Sequence, residues 1–214
     1  MIKKIDFKKL FLPMILAAGA ITLIGFLMLL IFGGKTFAEY TLNNLRISLF
    51  IKALVYFVLF VGLTMLYFLI RFKKKGFWLA LYTAAATAIN SVSAFFLCVI
   101  FRASLGEITF AVILLAVFYT YLTVLVFVSK TADTNNKKTK GAPEFSFEEA
   151  AQKTVSTMLI PLIIIAALIV IAFVLALVYS APMLALYALP MILTTVISVI
   201  QTITFTCNLY SKKI

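Results

Sequence analysis

The sequence predicts an all-α membrane protein with six transmembrane helices, and two features of composition and one of pattern support this. Hydrophobic residues make up 64% of the 214 positions, charged residues 12%, and the mean hydropathy is +1.16, whereas soluble domains are nearer half apolar. Apolar runs of about twenty residues recur, and at about 1.5 Å per residue each can cross a hydrocarbon layer of about 30 Å. Basic residues gather in alternate segments between these runs.

We expect a single membrane domain over residues 1–214. The predicted spans lie at about 10–32, 48–70, 77–101, 108–128, 158–179 and 183–207. Each is bounded by polar, charged or Gly-containing sequence. The first run is longer than the apolar part of a typical secretory signal, and no small-residue cleavage site follows it, so we expect it to stay in the membrane.

The basic residues predict the orientation of these spans. Most of the 19 Lys and Arg residues lie on one side. The clusters on that side are at 3–9, 71–75, 130–153 and 212–213, whereas the other side has Lys35, Arg46 and Arg102. Because cytoplasmic loops carry the excess of Lys and Arg, both termini are predicted to be cytoplasmic. The net charge of +12 is thus explained by helix ends that meet anionic lipid, and no nucleic-acid partner is predicted.

The connection at 129–157 is the longest cytoplasmic one, and it has two parts. Its first part, SKTADTNNKKTKGAP, is polar and contains helix breakers, which favours a solvated linker. Ser146 and Glu149 then form an S-x-x-E capping box, which predicts the start of a helix. The composition of that helix suits an interfacial helix and a solvated lead-in to the fifth span equally well.

Polar side chains repeat along one face of the sixth predicted span, at i, i+4, i+7 and i+8: Thr194, Ser198, Gln201 and Thr202. Thr120 and Thr123 on the fourth span are the natural partners for this face. The favoured interpretation is hydrogen bonding between helices, which is common in membrane bundles. The alternative is a path for water or a small molecule between the fourth and sixth spans.

Three segments resemble a known family in order and spacing: KIDFKKLFLPMILAAGA at the start, LRISLFIKALVYFVLFVGLTMLYFLIRFKKKG around the second span, and FEEAAQKTVSTMLIPL before the fifth. They are similar to SecF, the smaller half of the bacterial SecD–SecF accessory complex of the Sec translocase. The resemblance implies a half-bundle of the SecD/SecF (RND-like) type. It also implies a SecD-like subunit and the Sec translocon as partners.

The chain departs from that family in two respects. The interval GGKTFAEYTLNNLRI is too short for the extracytoplasmic domain that family members usually carry. The resemblance also places Thr87 and Ala88 on a His-Asp pair, Thr123 on a membrane Asp, and Thr157 on its Arg partner. A hydroxyl does not titrate near neutral pH, so the resemblance implies a structural or regulatory subunit that assists protein translocation without a proton cycle of its own.

Two other classes of function remain open. A six-span chain of this length is also typical of the substrate-binding membrane subunits of energy-coupling-factor vitamin transporters, and the small residues at 17–20 suit the partner contact those subunits make. An orphan membrane scaffold is the third possibility. The sequence has no His, no nucleophile–base pair, no metal-ligand spacing and no Gly-rich phosphate loop, so neither an enzyme nor a cofactor is predicted.

Overall fold

The computed structural model describes residues 6–32, 47–72, 74–103, 107–138, 147–179 and 182–210. The described residues form six α-helices and no strand: α1 (Phe7–Phe32), α2 (Ile47–Phe72), α3 (Lys74–Ile100), α4 (Glu107–Lys138), α5 (Phe147–Val178) and α6 (Pro182–Tyr210). All six are long and apolar enough to cross a membrane. The prediction of a helical, six-span, multi-pass membrane protein is therefore confirmed, whereas the orientation and the SecD/SecF type of bundle stay predictions.

Three helices form the centre of the bundle and three lie around it. About half of the membrane-length segment is buried in α3, α4 and α6 (50%, 50% and 56%), against 11% in α1, 11% in α2 and 6% in α5. Two of the outer helices, α5 and α1, are nevertheless the most apolar of the chain, with hydropathies of 3.3 and 2.6. A bilayer explains this inversion, because lipid tails are as apolar as a protein core.

Two apolar clusters pack the ends of the central helices. The first cluster includes Phe68, Leu79, Val124, Phe127, Met158 and Ile203, and the second includes Ala94, Cys98, Val112, Ala116 and Tyr187. Along their helices, Asn90 and Ser198 lie between the two clusters. The polar side chains of the middle are thus held between two apolar ends.

Helices α4 and α5 extend beyond the predicted spans. Helix α4 continues to Lys138, although the sequence analysis began a linker at residue 129. Residues 129–140 contain no Gly or Pro, so nothing in this polar stretch forces the helix to end at the membrane surface. At about 1.5 Å per residue, a helix of 32 residues is about 48 Å long, well beyond the hydrocarbon layer.

The first turns of α5 belong to the bundle. The helix begins at Phe147, as the capping box predicts, while Ser146 itself lies outside the described residues. Ala150 and Ala151 are buried in the first apolar cluster together with Phe127 of α4. Small residues thus let this segment pack against the core, and its position at the membrane interface stays a prediction.

Two glycines permit close contact between neighbouring helices. A Cβ atom at Gly25 of α1 would lie 2.5 Å from Cδ1 and 2.7 Å from Cβ of Phe96 on α3. A Cβ atom at Gly76 would overlap the backbone carbonyl of Phe68, where α2 meets α3. Any larger residue at these positions pushes α1 or α2 away from α3.

Candidate functional site

Buried polar side chains meet at the centre of α3, α4 and α6, and Asn90 joins the three helices. Its Nδ2 atom donates to Oγ1 of Thr120 at 2.9 Å and to Oγ1 of Thr202 at 3.0 Å. The same atom lies 3.4 Å from the carbonyl oxygen of Ser198. An amide nitrogen has two hydrogens, so the two shorter contacts are the principal bonds. One side chain thereby fixes the register of α3 against both neighbours.

The threonines of this site use their own helices to orient their hydroxyl groups. Thr120 donates to the carbonyl of Ala116 at 2.7 Å, and Thr202 donates to that of Ser198 at 2.6 Å. Each hydroxyl then has lone pairs free to accept from Asn90. Bonding to the carbonyl four residues earlier is common for Thr in helices, and here it aims the acceptors across the interface.

We call ten of the buried hydroxyl and amide side chains on these three helices the polar core. Its members are Thr87, Asn90 and Ser93 on α3, Tyr119, Thr120 and Thr123 on α4, and Thr194, Ser198, Gln201 and Thr202 on α6. All six residues of the predicted interhelical face belong to it. Thr120, Thr202 and Ser198 come together at Asn90, as their helical spacing predicts.

Asn90 itself was missing from the predicted face. On the third span, Thr83, Thr87 and Asn90 recur at i, i+4 and i+7. This is the same spacing that revealed the polar face of α6. It was the one signal able to identify the residue that joins the three helices.

Several polar atoms of this core have no hydrogen-bond partner among the described residues. They are Oδ1 of Asn90, Oγ of Ser93, the hydroxyl of Tyr119, Oγ1 of Thr123 and of Thr194, and both amide atoms of Gln201. In hydrocarbon each unsatisfied polar group costs several kcal/mol. The polar core therefore retains the capacity to bind water or another neutral polar group.

The positions that match the family's ionisable residues are dispersed. Thr123 is fully buried, whereas Thr157 is exposed and donates to the carbonyl of Lys153 at 2.8 Å. Thr87 is buried and donates to the carbonyl of Thr83, and its neighbour Ala88 is exposed on the other side of α3. The buried face of α5 passes through Ala151, Thr154 and Met158 and leaves Thr157 outside it.

A groove of about 410 Å³ lies between α1, α3 and α6. Ala18 and Gly19 line it from α1, Ala88 from α3, and Gln201 from α6. The rings of Phe11 and Phe205 lie 6.2 Å apart at the end nearest the start of α1. The sequence did not predict this groove. Its width depends on the distances between the three helices, and residues outside the groove set those distances by their packing.

The chain matches no protein-family model, no curated protein and no solved structure. The SecF resemblance therefore stays a prediction carried by the order of its segments. Among the side chains whose burial the structure describes, every buried polar group is a hydroxyl, an amide or the thiol of Cys98, and none is a carboxylate or a basic group. Nor do the described ranges bring together three or more His, Cys, Asp or Glu residues able to hold a metal ion.

Proposed function

We propose that this chain is a SecF-like accessory subunit that assists Sec-dependent protein translocation in the bacterial cytoplasmic membrane, without proton coupling of its own. The observation that carries the proposal is the chemistry of the polar core. Its side chains are hydroxyl and amide groups. A proton carrier needs a group that gains and loses a proton near neutral pH, and none of these does so.

The geometry of the core supports a structural role. Asn90 holds α3, α4 and α6 in one register, and Thr123 is fully buried where the resemblance places an Asp. A buried hydroxyl keeps the helices packed and stays neutral when the pH changes. In this proposal a SecD-like partner supplies any ion coupling, and this chain supports it within the membrane.

The outer surface supplies room for such a partner. Large apolar side chains on each outer helix are exposed, including Leu23 of α1, Leu63 of α2 and Leu168 of α5. Lipid covers these faces in an isolated chain, and a second membrane subunit replaces lipid on one of them in a complex. Since lipid and protein cores are equally apolar, shape decides which face binds the partner.

Site-specific photo-crosslinking in native membranes tests the proposal. A photoreactive amino acid is introduced at Leu23, Leu63 or Leu168 of the tagged full-length chain, and the adducts are identified by mass spectrometry. We expect one of these positions to yield an adduct with a SecD-like or translocon subunit. Ala116 is the matched control, because it is fully buried and should give intrachain products. If all three outer positions yield lipid alone and co-purification yields no translocase component, the proposal is wrong.

A second measurement tests the absence of proton coupling. The purified chain is reconstituted into liposomes that contain a pH-sensitive dye, and a pH gradient is applied. We expect the gradient to decay at the rate of protein-free liposomes. Faster decay with the chain alone would contradict the proposed division of labour.

A further inference from the structure

We infer that the groove between α1, α3 and α6 is a lateral binding site for a neutral, single-headed lipid, a molecule with a long apolar body and one uncharged hydroxyl or ester group. This inference is independent of the proposed role in translocation. It depends on the volume of the groove, on the residues that line it and on the unsatisfied amide of Gln201.

The size and shape of the groove suit such a molecule. Its volume of about 410 Å³ falls within the range of about 300–1,000 Å³ that is usual for small-molecule sites. Along α1 it extends from Phe11 to Thr22, a rise of about 16 Å at about 1.5 Å per residue. The groove is thus elongated along the helix axes, as a lipid chain is.

The lining excludes a charged ligand. The described residues around the groove include no Lys, Arg, Asp or Glu. The hydroxyl of Thr22 donates to the carbonyl of Ala18 at 2.7 Å, and that of Thr204 donates to the carbonyl of Ile200 at 2.7 Å. Both hydroxyl hydrogens are therefore engaged within their own helices. A charged headgroup would have no counter-ion here, and in hydrocarbon that is costly.

Gln201 supplies the polar contact that orients the ligand. It lines the groove and is 6% exposed, and neither Nε2 nor Oε1 has a hydrogen-bond partner among the described residues. An amide offers donors and acceptors together, so a hydroxyl can pair with either atom and an ester carbonyl can accept from Nε2. The side chain has three rotatable bonds, which allow the amide to turn towards a group that enters from the bilayer.

The chain provides a variant that fills the groove without disturbing the fold. A Cβ atom at Gly19, which lines the groove, meets no described atom within 4 Å. Gly62 on α2 is equally unobstructed and lies away from the groove. Gly19→Leu therefore occupies the ligand space, and Gly62→Leu makes the same chemical change on another face.

Photolabelling of the full-length chain in liposomes tests the inference. The probe is a long-chain alcohol with a mid-chain diazirine and a terminal alkyne, and the labelled peptides are identified by mass spectrometry. We expect labelling of α1, α3 and α6 that saturates, that unlabelled alcohol displaces, and that Gly62→Leu retains. Gly19→Leu should abolish it, and Gln201→Leu should weaken the apparent affinity about fivefold, the equivalent of about one hydrogen bond.

Three results would overturn the inference. Equal labelling of wild type, Gly19→Leu and Gly62→Leu would indicate ordinary contact with bulk lipid. Displacement by the matching fatty acid as effectively as by the alcohol would contradict an uncharged headgroup. Displacement by a water-soluble vitamin such as biotin would favour a vitamin site instead. If Gly19→Leu does not fold, the affinity of the Gln201→Leu variant decides, and an unchanged affinity counts against the inference.

Discussion

Asn90 donates a hydrogen bond to Thr120 across 2.9 Å, and this bond joins the centres of α3 and α4. Thr87 provides a matched comparison within the same core. Both threonines are fully buried, and each donates at 2.7 Å to the carbonyl four residues earlier. They differ in that Thr120 also accepts from Asn90. A comparison of substitutions at Thr120 and Thr87 therefore distinguishes the effect of the interhelical bond from that of the intrahelical bond.

Thr120→Val is expected to lower the free energy of unfolding by about 1–2 kcal/mol, because it removes the acceptor and leaves part of the Asn90 amide unsatisfied. Thr87→Val keeps the side-chain volume and loses a bond within its own helix, so its effect should stay within about 0.5 kcal/mol. Unfolding in mixed micelles with increasing denaturing detergent measures both. Equal effects of the two substitutions would mean that the Asn90 bond contributes nothing measurable.

The close contact of α1 with α3 yields a second prediction. Gly25→Ala would bring a methyl group to 2.5 Å from Phe96 Cδ1, and the contact includes Cβ, which is anchored to the backbone. Overpacking of this kind costs about 1–3 kcal/mol. We expect a lower thermal unfolding temperature for Gly25→Ala than for the wild type.

Gly19→Ala is the control for that substitution. It makes the same change on the same helix, but its Cβ meets no atom within 4 Å. Since Ala favours a helix over Gly by about 1 kcal/mol, we expect unchanged or slightly higher stability. If Gly25→Ala were as stable as Gly19→Ala, α1 would not pack on α3 as described.

The sequence predicted the helices better than it predicted their contacts. Hydropathy located six spans because a bilayer selects for long apolar helices whatever their neighbours are. Helical spacing grouped Thr194, Ser198 and Thr202 on one face because periodicity depends on the chain alone. The same spacing marks Asn90 on one face of the third span, but the acceptors that Asn90 meets depend on how α3 rotates against α4 and α6, and a one-dimensional pattern does not contain that rotation. The groove at Gly19 and Gln201 was not predicted for the same reason, because it too depends on how the helices are placed against each other.

The ends of the helices show a second kind of limit. The sequence ended the fourth span at 128 because apolar residues stop there, yet α4 continues to Lys138. Hydropathy reports where lipid ends, whereas a helix ends where its backbone loses hydrogen bonds or meets Gly or Pro. In α5, the polar residues around Ala150 and Ala151 gave no sign that these two residues are buried. Their small size lets them pack in the core.

The placement of Thr123 and Thr157 changes an expectation drawn from the family resemblance. The resemblance places a membrane Asp at Thr123 and its Arg partner at Thr157, which implies that an Asp and an Arg introduced there stabilise each other. Because Thr123 is buried and Thr157 is exposed, we now expect no rescue. Thr123→Asp alone should cost about 2.5–3.5 kcal/mol, and addition of Thr157→Arg should leave that cost unchanged within about 0.5 kcal/mol.

Steady-state abundance in membranes and unfolding in micelles measure both variants. Thr154→Arg, combined with Thr123→Asp, is the comparison for Thr157→Arg. It places the Arg on the face of α5 that packs into the bundle, where Thr154 is fully buried. Clear recovery of stability in the Thr123→Asp, Thr157→Arg double variant would show that the two positions approach each other, and that α5 is rotated relative to the arrangement described.

The orientation predicted from basic residues can be measured with paired reporters. Alkaline phosphatase is active outside the cytoplasm and green fluorescent protein fluoresces within it, so each reporter is inserted after Leu105 and after Gly141. Because cytoplasmic segments carry the excess of Lys and Arg, we expect phosphatase activity at Leu105 and fluorescence at Gly141. The reverse pattern would place both termini outside. The result also locates the groove, because its end at Phe11 and Phe205 lies near the start of α1. With the N-terminus inside, a neutral lipid would enter from the cytoplasmic leaflet.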